Sequence, residues 1–439
     1  MKLFDCHCHY HLGTGGVAPL LRTLRSEAPH RDRTADAAAS IVRVNDDDDD
    51  DDIAPSSPFS FAGAALMSTH PRDYPAVDLA ASELESSKYG LAVPCYGVHP
   101  WFLHEVLPDG EDDDDDDEDD DDDDDEDDDD DGWLAELRRR LVDRPGAIVG
   151  EIGLDGARWR EAVDETGGEF GGKSIWERKR TLSCPMNVQK RAFERQLVLA
   201  TELRRPVSIH VVHAWGELLD SLETVRDTMR HRRRRHYSSS SHSGEEIEGI
   251  VVAREGGDDG ATREEGRSSK KEAERRKPLL LPPKMYFHAF SGKAGVLPSL
   301  LAACEKGNIP RGGVYFGFAP VRSILPHVMP GLSPFRLIIL FGQVDVVLFF
   351  VSLILSLSPS QAIPNFYSAK TPSIMKQIGI DQLLLETDLE DSSCAWDDLK
   401  AGVEGLASAL DMDVGDVADR TYRNAMRFYF EDGGESGGG

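Results

Sequence analysis

The chain has 439 residues, enough for two domains or one large barrel with insertions. Its net charge of −31 is local: Asp46–Asp52 and Glu111–Asp131 are unbroken acidic runs, and without those 28 residues 52 acidic side chains face 49 basic ones. The remainder is close to neutral and so neither excludes nor favours a nucleic-acid substrate, while six scattered Cys with no CxxC pair argue against a disulfide framework and for a reducing compartment.

Eight strand-like runs follow one another: Lys2–Cys6, Phe61–Met67, Cys95–Val98, Ala147–Ile152, Val207–Val211, Lys284–Ala289, Val314–Phe318 and Gln382–Glu386. Most are apolar on both faces, as in parallel strands covered on both sides. Between them, Asp78–Ser87, Trp133–Val142, Gln189–Leu203, Trp215–Met229 and Gly295–Lys306 carry apolar residues at helical spacing. Thr371-Pro372 reads as an N-cap with Pro in the first turn, Gly379 as the stop of that helix, and Arg420–Phe430 as a final amphipathic helix. Strand then helix, eight times, predicts an α/β fold: a single (β/α)8 TIM barrel spanning residues 1–439.

The extra length falls in inserts. Residues 27–58, 103–132 and 231–283 are acidic or charged and too poor in apolar surface to offset ordering entropy, so they are expected to be disordered. Residues 323–363 form an apolar insert whose abrupt composition fits a translated intron. Within it, Leu337–Leu357 is long enough to cross a bilayer, but Asp345 near its middle would cost about 2.5–3.5 kcal/mol there, so no membrane span is expected. Strand-forming residues follow Met1 almost at once, leaving no room for a secretory signal, and the expected location is cytoplasm, nucleus or both.

Metal-ligand residue types recur where these strands end. His7 and His9, two apart, face the same way; Glu151 closes the fourth strand, His210 the fifth, His288 the sixth and Asp388 the eighth. In a barrel, catalytic side chains sit at the C-terminal ends of strands, so one mouth is expected to gather four imidazoles and two carboxylates. That donor number suits two divalent ions, Mg, Mn or Zn. Any one of these residues alone could be structural: Glu151 could pair with an Arg, and Asp388 could cap a helix. Cys6 and Cys8 alternate with the histidines and read as packing residues. His99, after the third strand, is expected either to contact a substrate phosphate or to position its loop, and Asp155 to orient a ligand. His11 and His213 lie near ligand positions without a clear role, and the tract Arg230–His236 reads as a nuclear address, a nucleic-acid contact or a solvated basic face.

Asp5-x-His7-x-His9, Gly97–Trp101, Gly150–Asp155, Pro206–His210, His288–Gly292 and Glu386–Asp388 together resemble the TatD family of metal-dependent deoxyribonucleases, within the amidohydrolase-like superfamily. Asn424–Phe428 resembles that family's closing helix, and the wording is nearest to a fungal branch named for interaction with a cell-cycle protein. The resemblance implies one ion on His7, His9, Glu151 and Asp388, with Glu151 bridging to a second completed by His210 and His288. It implies DNA as substrate, 3'-5' exonuclease-like cleavage, Glu151 and Asp388 as the catalytic carboxylates, and a possible protein partner. Bacterial members carry Arg and Asp where this chain has Val212 and His213, which leaves the ligands intact but alters the expected substrate contacts. A same-barrel hydrolase of another ester or an amide, and a scaffold protein with little catalysis, remain the alternatives.

Overall fold

The computed structural model describes residues 1–27, 58–107, 132–157, 184–243, 278–309, 311–319 and 370–431. The acidic runs, the 323–363 insert with its apolar stretch, and most of the 231–283 insert lie outside these residues. Eight strands hydrogen-bond in chain order in one sheet, and every described pairing is parallel. They are β1 (Lys2–Cys8), β2 (Ser60–Met67), β3 (Leu91–Tyr96), β4 (Ile148–Asp155), β5 (Val207–Val212), β6 (Met285–Phe287), β7 (Val314–Gly317) and β8 (Leu383–Leu384). The described helices are α1 (Ala18–Glu27), α2 (Tyr74–Ser86), α3 (Gly132–Asp143), α4 (Met186–Glu202), α5 (Trp215–Ser243), α6 (Val296–Lys306), α7 (Thr371–Ile378), α8 (Ala395–Leu410) and α9 (Val414–Tyr429). Parallel strands in sequential order with helical crossovers define the (β/α)8 class. Among the described residues, no helix is long and apolar enough to cross a membrane.

Contacts divide the chain into two compact units, Met1–Cys95 with Phe316–Glu431, and Tyr96–Tyr315. In the first unit β1 pairs with β2, placing Asp5 opposite Ala64. The segment after β8 returns to β1: Cys6 N–H donates to Leu385 O at 2.9 Å, Asp388 N–H to His7 O at 2.8 Å, and His9 N–H to Leu389 O at 2.8 Å. Helix α9 locks this seam. Asp413 caps it by accepting from Gly415 N–H (2.7 Å) and Asp416 N–H (3.2 Å). Its buried face, Val417, Ala418, Thr421, Asn424, Ala425 and Phe428, has helical spacing. Tyr429 stacks at 5.4 Å on Phe4 and donates to Cys6 O at 2.5 Å, while Asn424 donates to Ile380 O and Leu383 O at 2.7 and 2.8 Å. Each fully buried aromatic or aliphatic side chain here contributes about 1.5–3 kcal/mol.

In the second unit β4 is buried throughout and pairs with β5, Gly153 opposite His210. Gly153 has φ +155, and a Cβ there would lie 1.9 Å from His210 O, so the close approach of these strands requires glycine. Strand β5 continues to β6 through Ser208 opposite Tyr286.

Several boundaries differ from expectation. Strand β3 begins at Leu91 rather than Cys95 and runs through Pro94, which pairs with Leu66 although it lacks an N–H. Lys370, not Thr371, occupies the N-cap of α7, with no side-chain cap bond; Thr371 is the first helical residue and is buried, while Gly379 ends the helix at φ +86. Helix α5 runs to Ser243, so residues 231–243 continue it instead of joining a disordered insert. Arg is a good helix former, and the Arg230–Asp227 ion pair (2.7 Å, i,i+3) supports the extension.

Candidate metal centre

Each unit carries one cluster of ligand-type side chains. In the first unit His7 lies in β1, His9 immediately after it, and Asp388 four residues past β8. His7 Nε2 and His9 Nε2 are 3.3 Å apart, and each is 3.7 Å from Asp388 Oδ1. Asp388 sits in the left-handed region, φ +57, held there by its N–H bond to His7 O. His9 Nδ1 lies 2.7 Å from Met67 O. A carbonyl only accepts, so Nδ1 carries the proton and Nε2 presents its lone pair to the cluster. The His7 side chain is fully buried, whereas that of Asp388 is 22% exposed, so the carboxylate is the member that water can reach.

Behind this cluster, Asp5 is completely buried. Burial pushes its carboxyl up to about 6 against the opposing hydrogen bonds from Thr387, Tyr10 and the His7 amide. Burial pulls the His11 ring down to about 3, and the His9 ring acts in the same direction. Burial likewise raises Glu390, two residues past Asp388, to about 7, with His9 opposing. Cys6 and Cys8 are buried and donate to Phe4 O and Ala65 O.

In the second unit Glu151 lies within β4, its backbone neighbours buried on both sides. Three ring nitrogens converge on its Oε1: His288 Nε2 at 2.6 Å, His210 Nδ1 at 3.0 Å and His99 Nε2 at 3.3 Å. His210 Nδ1 is also 3.2 Å from His288 Nε2. Burial alone would raise Glu151, but the His288 and His99 rings and hydrogen bonds from His210 and His288 outweigh it and hold the carboxyl well below the usual range. For His210 burial acts downward, yet Asp155 and Glu151 prevail and lift it to about 10. Asp155 Oδ2 sits 3.4 Å from His210 Nε2 and accepts from Trp101 Nε1 at 2.6 Å. Both His210 nitrogens thus face carboxylates, Nε2 toward Asp155 and Nδ1 toward Glu151, and the ring carries both protons at neutral pH. An ion bound here would take the place of the Nδ1 proton and leave Nε2–H on Asp155, the carboxylate–histidine arrangement common behind metal ligands.

His99 is wired the other way. Its Nδ1 accepts from Trp101 N–H at 3.2 Å, so the neutral ring carries its proton on Nε2 and donates to Glu151. Burial lowers this ring to about 4, with the Glu151 carboxylate opposing, which keeps it neutral at physiological pH.

The donor set fits divalent ions. Ligand atoms about 2.0–2.2 Å from a tetrahedral zinc ion lie about 3.3–3.6 Å from one another. The His7–His9 separation of 3.3 Å falls in that range, and the two 3.7 Å distances to Asp388 lie just outside it. The Glu151 set is tighter, at 2.6 Å to His288, 3.0 Å to His210 and 3.2 Å between the two rings, so these side chains are at hydrogen-bond spacing and would have to part by a few tenths of an ångström to hold an ion. Imidazole nitrogen with carboxylate oxygen suits Zn, Mn or Mg.

Two buried glutamines of α4 were not singled out in the sequence. Gln196 binds both backbone groups of Val98, accepting from N–H at 2.8 Å and donating to C=O at 3.1 Å. Gln189 accepts from Asp155 N–H at 2.8 Å and donates to Asp155 O and Cys184 O at 3.1 and 2.7 Å. They fix the residues that carry His99 and Asp155. The signal was two polar amides seven apart within the buried face of Ala192, Phe193, Leu197 and Ala200. Asp5 and Thr387 were legible only as members of the Asp5-x-His7-x-His9 and Glu386–Asp388 motifs, and Tyr10 carried no pattern. Val212 ends β5 and His213 follows at φ +52.

Parallel βα units that carry imidazole and carboxylate side chains within or just past their strands define a barrel with candidate metal-binding clusters. A family model described as TatD related DNase matches residues 4–324, and the chain belongs to the TatD family of hydrolases. Asp388 lies beyond the matched residues. The chain is 28% identical over 176 residues to the Cut9-interacting protein scn1 of Schizosaccharomyces pombe, covering 36% of this chain and 50% of that protein. It thus spans about half the length of that curated relative. Similar solved structures include the TatD homologue YJJV of Escherichia coli K12, at 14% identity and TM-score 0.46 over 98% of both chains. Another is an uncharacterized amidohydrolase of Saccharomyces cerevisiae, at 12% identity and TM-score 0.49, covering 98% of this chain and 100% of that one.

Proposed function

We propose that this chain is a divalent-metal-dependent phosphodiesterase acting on DNA, removing nucleotides from the 3' end. The observation that carries this reading is the donor geometry: His7, His9 and Asp388 in one unit and Glu151, His210 and His288 in the other, within a few tenths of an ångström of the spacing that one ion per set needs. Divalent ions there would bring the pKa of water toward about 7 and offset charge on the leaving oxygen. Asp388, the partly exposed carboxylate, accepts the proton of the attacking water. The water oxygen bonds to phosphorus in line as the bond to the leaving sugar oxygen breaks. Met67 O holds His9 in the tautomer that ligation needs, and Asp155 would keep the Nε2 proton of His210 once an ion displaced the one on Nδ1. The hydrogen bond from His99 to Glu151 favours a positioning role for His99 over direct phosphate contact.

The test is purified protein, stripped and reloaded with Mn or Mg, on end-labelled DNA. Release of mononucleotides, abolished by chelator and by Glu151→Ala, is expected. Intact DNA under conditions where an active relative degrades it would refute the nuclease reading. A panel of other phosphate and carboxylate esters and amides then separates substrates within the hydrolase class.

A second reading follows from the printed name of the fission-yeast relative and from Val212 and His213: a scaffold that binds a protein partner in the cytoplasm or nucleus. Metal analysis separates the two, because the enzyme requires stoichiometric metal and the scaffold does not.

A further inference from the structure

Asp5 is a carboxylate with no exposed surface, and both of its oxygens are occupied. Oδ1 accepts from Thr387 N–H at 3.0 Å and from His7 N–H at 3.3 Å. Oδ2 accepts from Thr387 Oγ1 at 2.6 Å and from the Tyr10 hydroxyl, and the two hydroxyls lie 3.3 Å apart. Tyr10 and Thr387 are themselves buried. Four donors occupy the four lone-pair directions of a carboxylate, so Asp5 has no capacity left to serve as a ligand.

The donors are not scattered. One is the backbone of His7, one belongs to the residue after His9, and two belong to the residue before Asp388. Each candidate ligand of the first unit is therefore either bonded to Asp5 or covalently adjacent to a residue that is. Burying a carboxylate is costly, and an apolar residue could pin β1 to the β8 side more cheaply if packing alone were needed. The contacts instead fix the backbone on both sides of the ligand set, and the Asp388 N–H bond to His7 O lies within the same frame.

We propose that Asp5, with Tyr10 and Thr387, is a positioning residue that sets the spacing of His7, His9 and Asp388 and so the affinity of that set for its ion. This rests on the reading of one ion per set. The Asp5→Asn side chain keeps one oxygen for the two amides and turns its NH2 toward Tyr10 and Thr387, whose hydroxyls rotate to accept. It therefore preserves the frame, whereas Asp5→Ala removes it.

The experiment is titration of the full-length, metal-stripped chain with Mn2+, following free ion by electron paramagnetic resonance. His210→Ala isolates the His7 set, and His7→Ala isolates the Glu151 set. In the His210→Ala background, Asp5→Ala is expected to weaken Mn2+ binding by about 10- to 100-fold, and Asp5→Asn to restore most of it. In the His7→Ala background, Asp5→Ala is expected to leave binding unchanged. If Asp5→Ala does not yield folded protein, Tyr10→Phe and Thr387→Val, each deleting one hydroxyl, carry the same expectation with smaller losses. Unchanged affinity in the first background, or equal loss in both, overturns the positioning role. If instead His7→Ala and His210→Ala leave the number of bound ions at the parental value, the ion-per-set reading itself fails, and the inference with it.

Discussion

His9 Nδ1 donates to the carbonyl oxygen of Met67 across 2.7 Å, whereas His99 Nδ1 accepts from the amide of Trp101 at 3.2 Å. The two rings therefore hold opposite tautomers: His9 presents a lone pair on Nε2, and His99 presents a proton there. Nitrogen-15 NMR of the metal-free chain near neutral pH should show the proton on Nδ1 of His9 and on Nε2 of His99. Adding Zn2+ should move the His9 Nε2 resonance and leave the protonated nitrogen of His99 in place. A proton found on His9 Nε2 before metal is added would contradict the ligand assignment.

The two candidate catalytic carboxylates differ in surroundings. Asp388 is partly open, and Glu151 is enclosed by three rings. Asp388→Asn keeps an oxygen ligand but removes the base, so kcat should fall about 10²- to 10⁴-fold with most metal retained. Glu151→Gln replaces the charge on which three ring nitrogens converge, so loss of bound metal should accompany loss of activity. Metal analysis beside steady-state kinetics checks both, and Asp388→Asn with unaltered kcat would remove it as the base.

Gln196 is the only side chain seen bonding to the backbone of Val98 among the described residues, and it bonds to both polar groups. Gln196→Leu leaves these buried groups without that amide and should cost about 1–3 kcal/mol of stability. Urea denaturation measures it. Because Val98 carries His99, the same variant should lower kcat/KM, a second readout that a purely peripheral residue would not change.

His11 gives the chain an acid sensitivity. Burial, with His9 adding to it, lowers this ring to about 3, below the ordinary value of 6.5. The folded state keeps the ring neutral, while the unfolded state takes up a proton once pH drops below about 6.5. Its contribution is thus intact above pH 6.5 and is lost as pH falls toward 3, at up to about 1.4 kcal/mol per pH unit. His11→Phe should flatten the stability profile between pH 6.5 and 5. A profile as steep as the parent's would show that other groups govern the acid limb.

The strands were legible because burial on both faces leaves long apolar runs, as in β4 and β5, and the ligand types stood out as polar residues in those runs; Glu151 and His210 were expected to end their strands, but β4 runs on to Asp155 and β5 to Val212. Strand β3 was misplaced because Pro94 reads as a break, although one missing N–H forfeits a single ladder bond. Helix α5 was cut short because its basic tract looked like insert, whereas helix propagation needs good helix formers and not an apolar face along its whole length. Helices α1 and α8 lacked a clear start signal: α8 begins at a Cys394 cap without a side-chain bond and carries Gly402 in its buried face. What no sequence pattern displays is backbone chemistry at long range. Met67 O beneath His9 and the Thr387 amide at Asp5 depend on residues 58 and 382 positions away.

The seam between β1 and the segment after β8 has a consequence for biosynthesis. The opening ninety-five residues share a unit with residues from Phe316 onward, while Tyr96–Tyr315 is contiguous. As the polypeptide leaves the ribosome, the contiguous stretch can fold on emergence and β1 can meet β2 early, but the other edge of β1 must wait for Leu385–Leu389. During that interval the edge of β1 that will receive Leu385 is exposed, and a holdase chaperone that shields extended apolar strands should engage nascent chains over this window and release them once α9 has emerged.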